Sequence, residues 1–278
     1  MTHNAVLQGN GMCSTWASTH TLLSIIKLSV SGSCRIYKHM LCNTTRRFCM
    51  SVYICRHADR QSTHPMSALS QMGKTNAAAL GQTFASNGMR DPCILSSPYE
   101  RCLETATAIS RTVGRVPILV EYGLSDGPIQ PGAVGVCVPL MQQRFALLDT
   151  RYKSKTPLPN HEDTQRHVLP RCVNMGRFVS DFYINQPANT DVVVVTHGTV
   201  AMGIVAAMAQ KQYESLDDSL EHVQGCVAAG YYKLVPYNHQ EGGLAWSSDY
   251  VCNSSVPLGG FPEHDTKTTP TCYIPGPM

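Results

Sequence analysis

The sequence has few charged residues and no long apolar run. Charged side chains make up 15% of the 278 residues, and the formal net charge is only +3. Nucleic-acid-binding proteins usually carry a strongly basic face, so this balance argues against a nucleic-acid partner. A membrane span needs about 20 consecutive apolar residues, whereas the nearest candidate, residues 21–30, is short and contains Lys27. We therefore expect a chain that contacts neither a membrane nor nucleic acid.

Cysteine is not scarce, but its spacing lacks a metal-binding pattern. The 12 cysteines include no C-x-x-C pair, and no histidine joins them at the spacing of a zinc site. Scattered cysteines of this kind are typical of free thiols in a reducing compartment, so we expect a cytoplasmic protein. The 43% of hydrophobic residues is enough to build a core and excludes a wholly disordered chain.

The chain divides into three parts by composition. Residues 1–46 show no hydrophobic periodicity and are expected to form a poorly structured N-terminal extension. Residues 47–251 are expected to form one domain. The remainder, 252–278, is rich in Pro, Gly and Thr and is expected to be a loose tail.

Within 47–251, short apolar runs alternate with helical patterns, which predicts an α/β fold with a mostly parallel central sheet and helices on both faces. Four consecutive valines, 192–195, indicate a strand buried on both sides. Ser97-Pro98-Tyr99-Glu100 fits a capping box that opens a helix, and 123–160 is expected to be an irregular excursion over the sheet. The predicted strands are 51–55, 93–96, 116–121, 191–196, 228–235 and 243–250, and the predicted helices are 67–88, 98–113, 161–184 and 198–210.

Three short motifs each directly follow a predicted strand. They are Arg56-His57-Ala58-Asp59-Arg60, Ser96-Ser97-Pro98-Tyr99-Glu100-Arg101 and Thr196-His197-Gly198. Ligands of open α/β sheets bind at the carboxyl ends of the strands. We therefore expect the two histidines and up to three arginines to converge on one pocket.

The chemistry of these side chains points to a phosphorylated ligand. The forked guanidinium donors of Arg56, Arg60 and Arg101 match the oxygens of a phosphate group. Neighbouring cations disfavour the protonated form of His57, and a neutral imidazole can attack phosphorus to give a phosphohistidine. His197 would help to spread the charge of the transition state.

These motifs also resemble those of a known family. Arg56-His57-Ala58 stands where the family signature has R-H-G, and Thr196-His197-Gly198 stands for its late S-H-G. The motif S-S-x-x-x-R-x-x-x-T-A matches Ser96, Ser97, Arg101, Thr105 and Ala106, and L-T-x-x-G-x-x-Q-A appears as Leu69, Ser70, Gly73, Asn76 and Ala77. The chain thus resembles the histidine phosphatase (phosphoglycerate mutase-like) superfamily.

At Arg56–Arg60, Ser97–Cys102 and Val120–Asp126 the chain looks most like the phosphatase domain of the suppressor-of-T-cell-receptor-signalling (TULA-type) proteins. The resemblance implies hydrolysis of phosphotyrosyl proteins or of a small phosphorylated metabolite, with no metal or other cofactor; a homodimer stays open. One departure is Ala58, since its methyl group is tolerable at the tight turn only if φ is negative.

The general acid has two candidates. By resemblance it is the carboxylate two residues after Leu124, which here is Asp126 instead of the family's glutamate. Glu121, the last residue of a predicted strand, is the competitor, although it would equally serve a structural role. Both assignments stay open at the level of sequence.

Three other functions compete with a phosphatase. Mutases of this superfamily resemble one another in a long insertion with paired arginines and a proline run after the acid. A mutase is disfavoured here because 127–160 contains only Arg144 and Arg151 and has no such proline run. A second alternative is an inactive family member that binds phosphorylated ligands or proteins. The third is a metal-dependent hydrolase that uses His161, Asp163 and His167.

Overall fold

The computed structural model describes residues 50–64, 67–127, 138–157, 168–209, 223, 225–238 and 244–251. All of them belong to one compact unit, Arg47–Met278. The expectations for the extension 1–46 and for the tail 252–278 fall outside the described residues and stay predictions.

A six-stranded mixed sheet forms the centre of the fold. Its strand order is β3-β2-β4-β1-β5-β6. The pairs β3/β2, β2/β4 and β4/β1 are parallel, whereas β5 and β6 extend the sheet antiparallel to β1. The prediction of a mostly parallel sheet is confirmed. The strands are β1 (Val52–Arg56), β2 (Cys93–Ser96), β3 (Ile118–Val120), β4 (Val192–Thr196), β5 (Tyr231–Asn238) and β6 (Leu244–Val251).

Helices cover both faces of this sheet, as expected, because successive strand side chains point to opposite sides. Along β4, Val193 and Val195 pack into a core with α1 and α2, and Val192 and Val194 pack into a second core with α4 and α5. All four valines are buried, which confirms the prediction from their run. The helices are α1 (Gln71–Ser86), α2 (Glu100–Thr112), α3 (Val138–Arg144), α4 (Val168–Ile184) and α5 (Gly198–Ala209), and a 3₁₀ turn spans Tyr122–Leu124.

The ends of α1 follow the sequence signals. Ser70 is the N-cap residue, and its hydroxyl accepts a hydrogen bond from the Gly73 N–H. Asn87 is the C-cap residue, and Gly88 adopts a positive φ of 84° beyond it. Serine at an N-cap and Asn-Gly at a helix stop are the residue types that these two positions favour.

Two predictions about local structure were wrong. The first turn of α2 is not capped by Ser97: the N-cap residue is Tyr99, which makes no side-chain capping bond. The stretch 123–160 is not wholly irregular, because it contains α3 and returns to the sheet edge, where Leu148 forms a bridge with Ile118. Residues 128–137 and 158–160 of that stretch lie outside the described residues.

Helices α4 and α5 approach each other closely. A methyl group added at Gly203 of α5 would lie 2.7 Å from Cβ of Cys172, and one added at Gly176 of α4 would lie 3.0 Å from Cβ of Ala207. Glycine at both positions therefore lets the two backbones pack at short range.

Two findings bear on the chain's environment. In the ranges that the structure describes, no helix is both long enough and apolar enough to cross a bilayer. The described cysteines, Cys55, Cys93, Cys102, Cys172 and Cys226, form no disulfide bond with one another.

The packing of α1 yields a first prediction. A methyl group at Gly73 would collide with the backbone carbonyl of Asp59, which cannot rotate away. We expect Gly73→Ala to lower the free energy of unfolding by about 1–3 kcal/mol, as overpacking does, despite the better helix propensity of alanine. Urea denaturation measures the change.

Gly81→Ala on the same helix is the control for Gly73→Ala. There the nearest atom to an added methyl group is the Thr112 hydroxyl oxygen at 2.8 Å, on a side chain that can rotate. An equal loss of stability in both variants would contradict the explanation.

Candidate active site

The register of the parallel strands brings two histidines together. Arg56, the last residue of β1, pairs with Thr196, the last residue of β4. The next residues, His57 and His197, therefore leave the sheet side by side, with ring centroids 5.3 Å apart. Both side chains are buried.

The geometry around His57 fixes its tautomer. Nδ1 lies 2.7 Å from the carbonyl oxygen of Ala58, and because a carbonyl only accepts, Nδ1 carries the proton and donates it. Nε2 is then left with a lone pair, which accepts a hydrogen bond from Nε of Arg101 at 3.1 Å. Burial, next the neighbouring His197, and then the charges of Arg101 and Arg56 hold the pKa of His57 well below its usual range. His57 is therefore neutral at pH 7, with an unshared electron pair on Nε2.

Ala58 fits the turn beside His57 without strain. It is not among the residues with positive φ, so its methyl group meets no backbone penalty. The side chain is fully buried in a small cluster with Leu69, Ala77 and Ala229. Its N–H donates to the hydroxyl of Thr105 at 3.1 Å. Alanine in place of the family signature's glycine thus leaves the turn beside His57 intact.

Arg101 is the central cation of the site. It is 1% exposed, and besides His57 its Nη2 lies 3.0 Å from Nδ1 of His197 and 3.2 Å from Oδ2 of Asp126. The guanidinium carbon lies 4.5 Å from the ring centroid of Tyr99, a cation–π contact that holds the fork in place.

Arg56 presents an unused donor to the same region. Its Nη1 donates to the carbonyl oxygen of Cys226 at 2.8 Å. Its Nε is buried and has no hydrogen-bond partner within the described part of the chain. Because a buried donor left unpaired costs about 1–3 kcal/mol, an anion that accepts from it would be stabilised. We call Arg56, His57, Arg101 and His197 the anion pocket.

The carboxylate of Asp126 lies at this pocket in the absence of any ligand. Oδ2 is 3.1 Å from Nδ1 of His197 and is also bonded to Arg101. Burial would raise the pKa of Asp126, but the contact and hydrogen bond with His197 and the charge of Arg101 outweigh it and hold that pKa well below its usual range. Burial in turn lowers the pKa of His197. The resting site therefore contains an ionised aspartate against a buried arginine and two neutral imidazoles.

Arg60 differs from the other predicted site residues. It follows His57 by three residues but is exposed, and its backbone forms a bridge with Leu69. We find no contact between its side chain and the anion pocket among the described residues. The structure thus brings together five of the six predicted residues and not the sixth.

Three residues at the site were missed by the sequence analysis. Ser97 places its hydroxyl oxygen 2.9 Å from Nε2 of His197, instead of capping α2. The ring of Tyr99 lies edge-on to His197, with centroids 4.9 Å apart. Arg171, on α4, donates from Nη2 to the carbonyl oxygen of Ser125 at 2.7 Å and so anchors the residue before Asp126. A signal existed only for Ser97, which follows a strand end as the two histidines do.

Glu121, the second candidate for the acid, has a structural role. It is fully buried, and both its oxygens accept hydrogen bonds from the segment that follows 151. Burial would raise the pKa of Glu121, but the hydrogen bonds outweigh it and lower that pKa, so the group is an anion with no proton to give. The donors are the hydroxyl groups of Tyr152, Ser154 and Thr156 and the N–H groups of Gly123, Lys155 and Thr156.

The proposed metal ligands cannot be located. His161, Asp163 and His167 lie outside the described residues. Within the described ranges, no group of three or more His, Cys, Asp or Glu side chains is arranged to hold a metal ion.

The amino-acid sequence that forms the sheet and the site matches the model of a protein family. The sequence model of the histidine phosphatase superfamily (branch 1) covers residues 52–233, from β1 into β5. The chain belongs to this superfamily. Both histidines of the anion pocket lie within the matched range. A search of curated proteins found no match.

Solved structures show the same fold for this superfamily member. An ecdysone phosphate phosphatase from Bombix mori, in complex with tungstate, is 17% identical, with a TM-score of 0.53 over 73% of this chain and 92% of that chain. A mycobacterial glucosyl-3-phosphoglycerate phosphatase is 18% identical, with a TM-score of 0.49 over 72% of this chain and 97% of that one. At these identities the first comparison shows the fold alone.

The role of Glu121 yields a second prediction. In Glu121→Gln the new amide NH₂ would face N–H and O–H donors, and each donor left unpaired costs about 1–3 kcal/mol. We expect this variant to lose at least about 2 kcal/mol of unfolding free energy at pH 7. Chemical denaturation across pH measures the loss.

The pH dependence has a definite sign. Because the pKa of Glu121 is lower in the folded than in the unfolded chain, its contribution is present above the ordinary glutamate pKa and is lost as pH falls below it. The gap between wild type and Glu121→Gln should therefore narrow in acid. Asp149→Asn, which alters an exposed pair with Arg151, is the control and should change stability far less. A gap that is constant with pH would contradict the assignment.

Proposed function

We propose that this protein is a phosphomonoester hydrolase that works through a covalent phosphohistidine at His57 and needs no metal ion. The observation that carries the proposal is the neutral His57, whose Nε2 lone pair points into a buried cationic pocket. Phosphoryl oxygens suit that pocket because guanidinium and imidazole donors surround it. Membership of the histidine phosphatase superfamily supports the same chemistry.

The reaction proceeds in two displacements. In the first, Nε2 of His57 forms a bond to phosphorus while the bond from phosphorus to the leaving oxygen breaks, and Asp126 gives that oxygen a proton. In the second, water attacks phosphorus, the phosphorus–nitrogen bond breaks, and Asp126 takes the proton from the water. Arg56, Arg101 and His197 stabilise the charge on the equatorial oxygens in both steps.

The ionised state of Asp126 in the resting site fits this cycle. A phosphate dianion that enters the pocket competes with Asp126 for Arg101 and His197, so the carboxylate loses the partners that hold its pKa down. The like charge of the phosphate also raises that pKa. Substrate binding thereby favours the protonated carboxyl group that the first step requires.

Both arginines of the stretch 127–160 are paired outside the anion pocket, which supports hydrolysis over the phosphate transfer of a mutase. Arg144 pairs with Glu100, and Arg151 pairs with Asp149, and both arginine side chains are exposed. Neither pair contacts the anion pocket in the described part of the chain.

The class of substrate is proposed from the sequence motifs. The motifs around Arg56 and Arg101 look like those of the TULA-type phosphatases, which favours a phosphotyrosyl protein; a small phosphorylated metabolite is the alternative. Phosphotyrosyl peptides, fructose 2,6-bisphosphate and phosphoglycerates assayed side by side would separate the two. The hypothesis of an inactive binding protein is weakened, because it relied partly on Ala58, which the turn accommodates.

A third prediction tests the nucleophile. His57→Ala should lower turnover of an aryl phosphate at least about 10³-fold, because the covalent route is lost. Acid-labile phosphate should be trapped on the wild-type protein and not on the variant. His64→Ala, at an exposed histidine of the same loop, is the control. Retained turnover in His57→Ala, or loss of wild-type activity on addition of a chelator, would refute the proposal.

A fourth prediction tests the acid. Asp126→Asn should lower kcat/KM for an alkyl phosphate by about 10²-fold and for p-nitrophenyl phosphate little, because kcat/KM reports formation of the phosphoenzyme, in which only the poor leaving group needs a proton. Rates of both substrates with both proteins measure the effect. Glu121→Gln, compared under conditions where it is folded, should change the two rates alike. If the loss depended on the leaving group only in Glu121→Gln, Glu121 and not Asp126 would be the general acid.

A further inference from the structure

Ser97 holds a position that the proposed reaction has not used. It is the first residue after β2, its side chain is fully buried, and its backbone N–H donates to the carbonyl oxygen of Val195 at 2.9 Å. The backbone is thus fixed by the sheet, independently of the hydroxyl group. That hydroxyl oxygen lies 2.9 Å from Nε2 of His197, at the side of the ring away from Asp126.

The contacts of Nδ1, the second ring nitrogen of His197, show which of the two nitrogens carries the proton. Nδ1 of His197, Nη2 of Arg101 and Oδ2 of Asp126 form a triangle with sides of 3.0, 3.1 and 3.2 Å. A guanidinium only donates and a carboxylate only accepts. The guanidinium would donate to a bare Nδ1 and repel a protonated one, whereas the carboxylate would accept from a protonated Nδ1 and repel a bare one. The attraction of Asp126 for a proton on His197 is stronger than the repulsion from Arg101, so the proton lies on Nδ1.

It follows that the imidazole of His197 has its proton on Nδ1 and its lone pair on Nε2. The Ser97 hydroxyl can rotate, so it donates to that lone pair. A hydrogen bond to one ring nitrogen sets which tautomer the other nitrogen presents. The triangle thus assigns the tautomer, and the Ser97 hydroxyl, which can donate or accept, satisfies the lone pair that this tautomer leaves on Nε2.

We propose that Ser97 is a positioning residue that holds His197 in the Nδ1–H tautomer, so that this N–H donates to a phosphoryl oxygen. The proposal rests on the proposed phosphatase function for its catalytic consequence. When the phosphate replaces Oδ2 of Asp126, the same N–H is already directed at the oxygen that takes its place. In the other tautomer a lone pair would face the phosphate and repel it.

Cys102 offers a matched control, because its thiol also lies near Nε2 of His197. Its Sγ is 3.6 Å from Nε2 and 3.7 Å from the carbonyl oxygen of Thr196. Burial raises the pKa of Cys102 to about 12, so it stays a thiol, which is a weak donor. We expect the S–H group to donate to the carbonyl and to leave the tautomer to Ser97.

The tautomer can be measured on the full-length protein without turnover. In ¹⁵N-histidine-labelled protein at neutral pH, the ¹⁵N shifts and their couplings to ring protons distinguish the protonated from the bare ring nitrogen. We expect Nδ1 of His197 to be protonated in wild type and in Cys102→Ala, and the proton to be shared between both nitrogens in Ser97→Ala. His197→Gln assigns the signals. A wild-type spectrum with Nε2 protonated overturns the proposal, and it does so even if Ser97→Ala does not fold.

The consequence for the anion pocket is measured separately. Thermal unfolding first establishes that each variant is folded. Ser97→Ala should then lower kcat/KM and the affinity for vanadate by about tenfold, the effect expected from one hydrogen bond, and Cys102→Ala should change neither by more than about twofold. An unchanged tautomer and unchanged vanadate affinity in Ser97→Ala would overturn the proposal. If the wild-type protein binds vanadate and shows the expected tautomer but hydrolyses no phosphate ester, the proposed phosphatase function is wrong. The proposed role of Ser97 in positioning His197 is then still supported.

Discussion

Parallel pairing of three strands in register is the constraint on which the site depends. Hydrogen bonding fixes neighbouring strands about 4.8 Å apart. The pair Arg56 with Thr196 ends β1 and β4 at one level, and the pair Ser96 with Val195 ends β2 one residue earlier. The residues that follow these three strands are His57, His197 and Ser97. A shift of one residue in any pair would turn its side chain to the other face of the sheet. The register of the backbone pairing therefore determines which side chains meet at the site.

Charge balance explains the arrangement of the side chains around that edge. Arg101 is almost wholly buried, and a buried guanidinium is costly unless anionic or polar acceptors satisfy it. In the resting protein the carboxylate of Asp126 and Nε2 of His57 supply those acceptors. Asp126 is the more exposed of the two, with 38% of its side chain accessible, so it is the partner that can give way to an incoming anion. Stability without ligand and affinity for ligand come from the same contacts.

The sequence predicted features that depend on local pattern and failed where contacts are distant. The valines of β4 and the caps Ser70 and Asn87 act through neighbours in the chain, so their types were informative. Ser97 stands before Pro98 as a cap residue would, yet its partner is 100 residues away, and no local pattern distinguishes the two roles. All the donors to Glu121 except Gly123 lie more than 30 residues on, in a stretch without hydrophobic periodicity. Its burial could not be foreseen for that reason.

The close contact between α4 and α5 has a mechanical consequence. His197 immediately precedes α5, and α4 carries Arg171, which holds the carbonyl group of Ser125 beside Asp126. Because Gly203 and Gly176 let the two helices interlock, the backbone segments that carry Asp126 and His197 are held in place by packing. Their separation is set when the helices pack, so an incoming ligand needs to displace only the side chain of Asp126. The pocket is therefore preorganised, and the entropy lost in assembling it belongs to folding and not to catalysis.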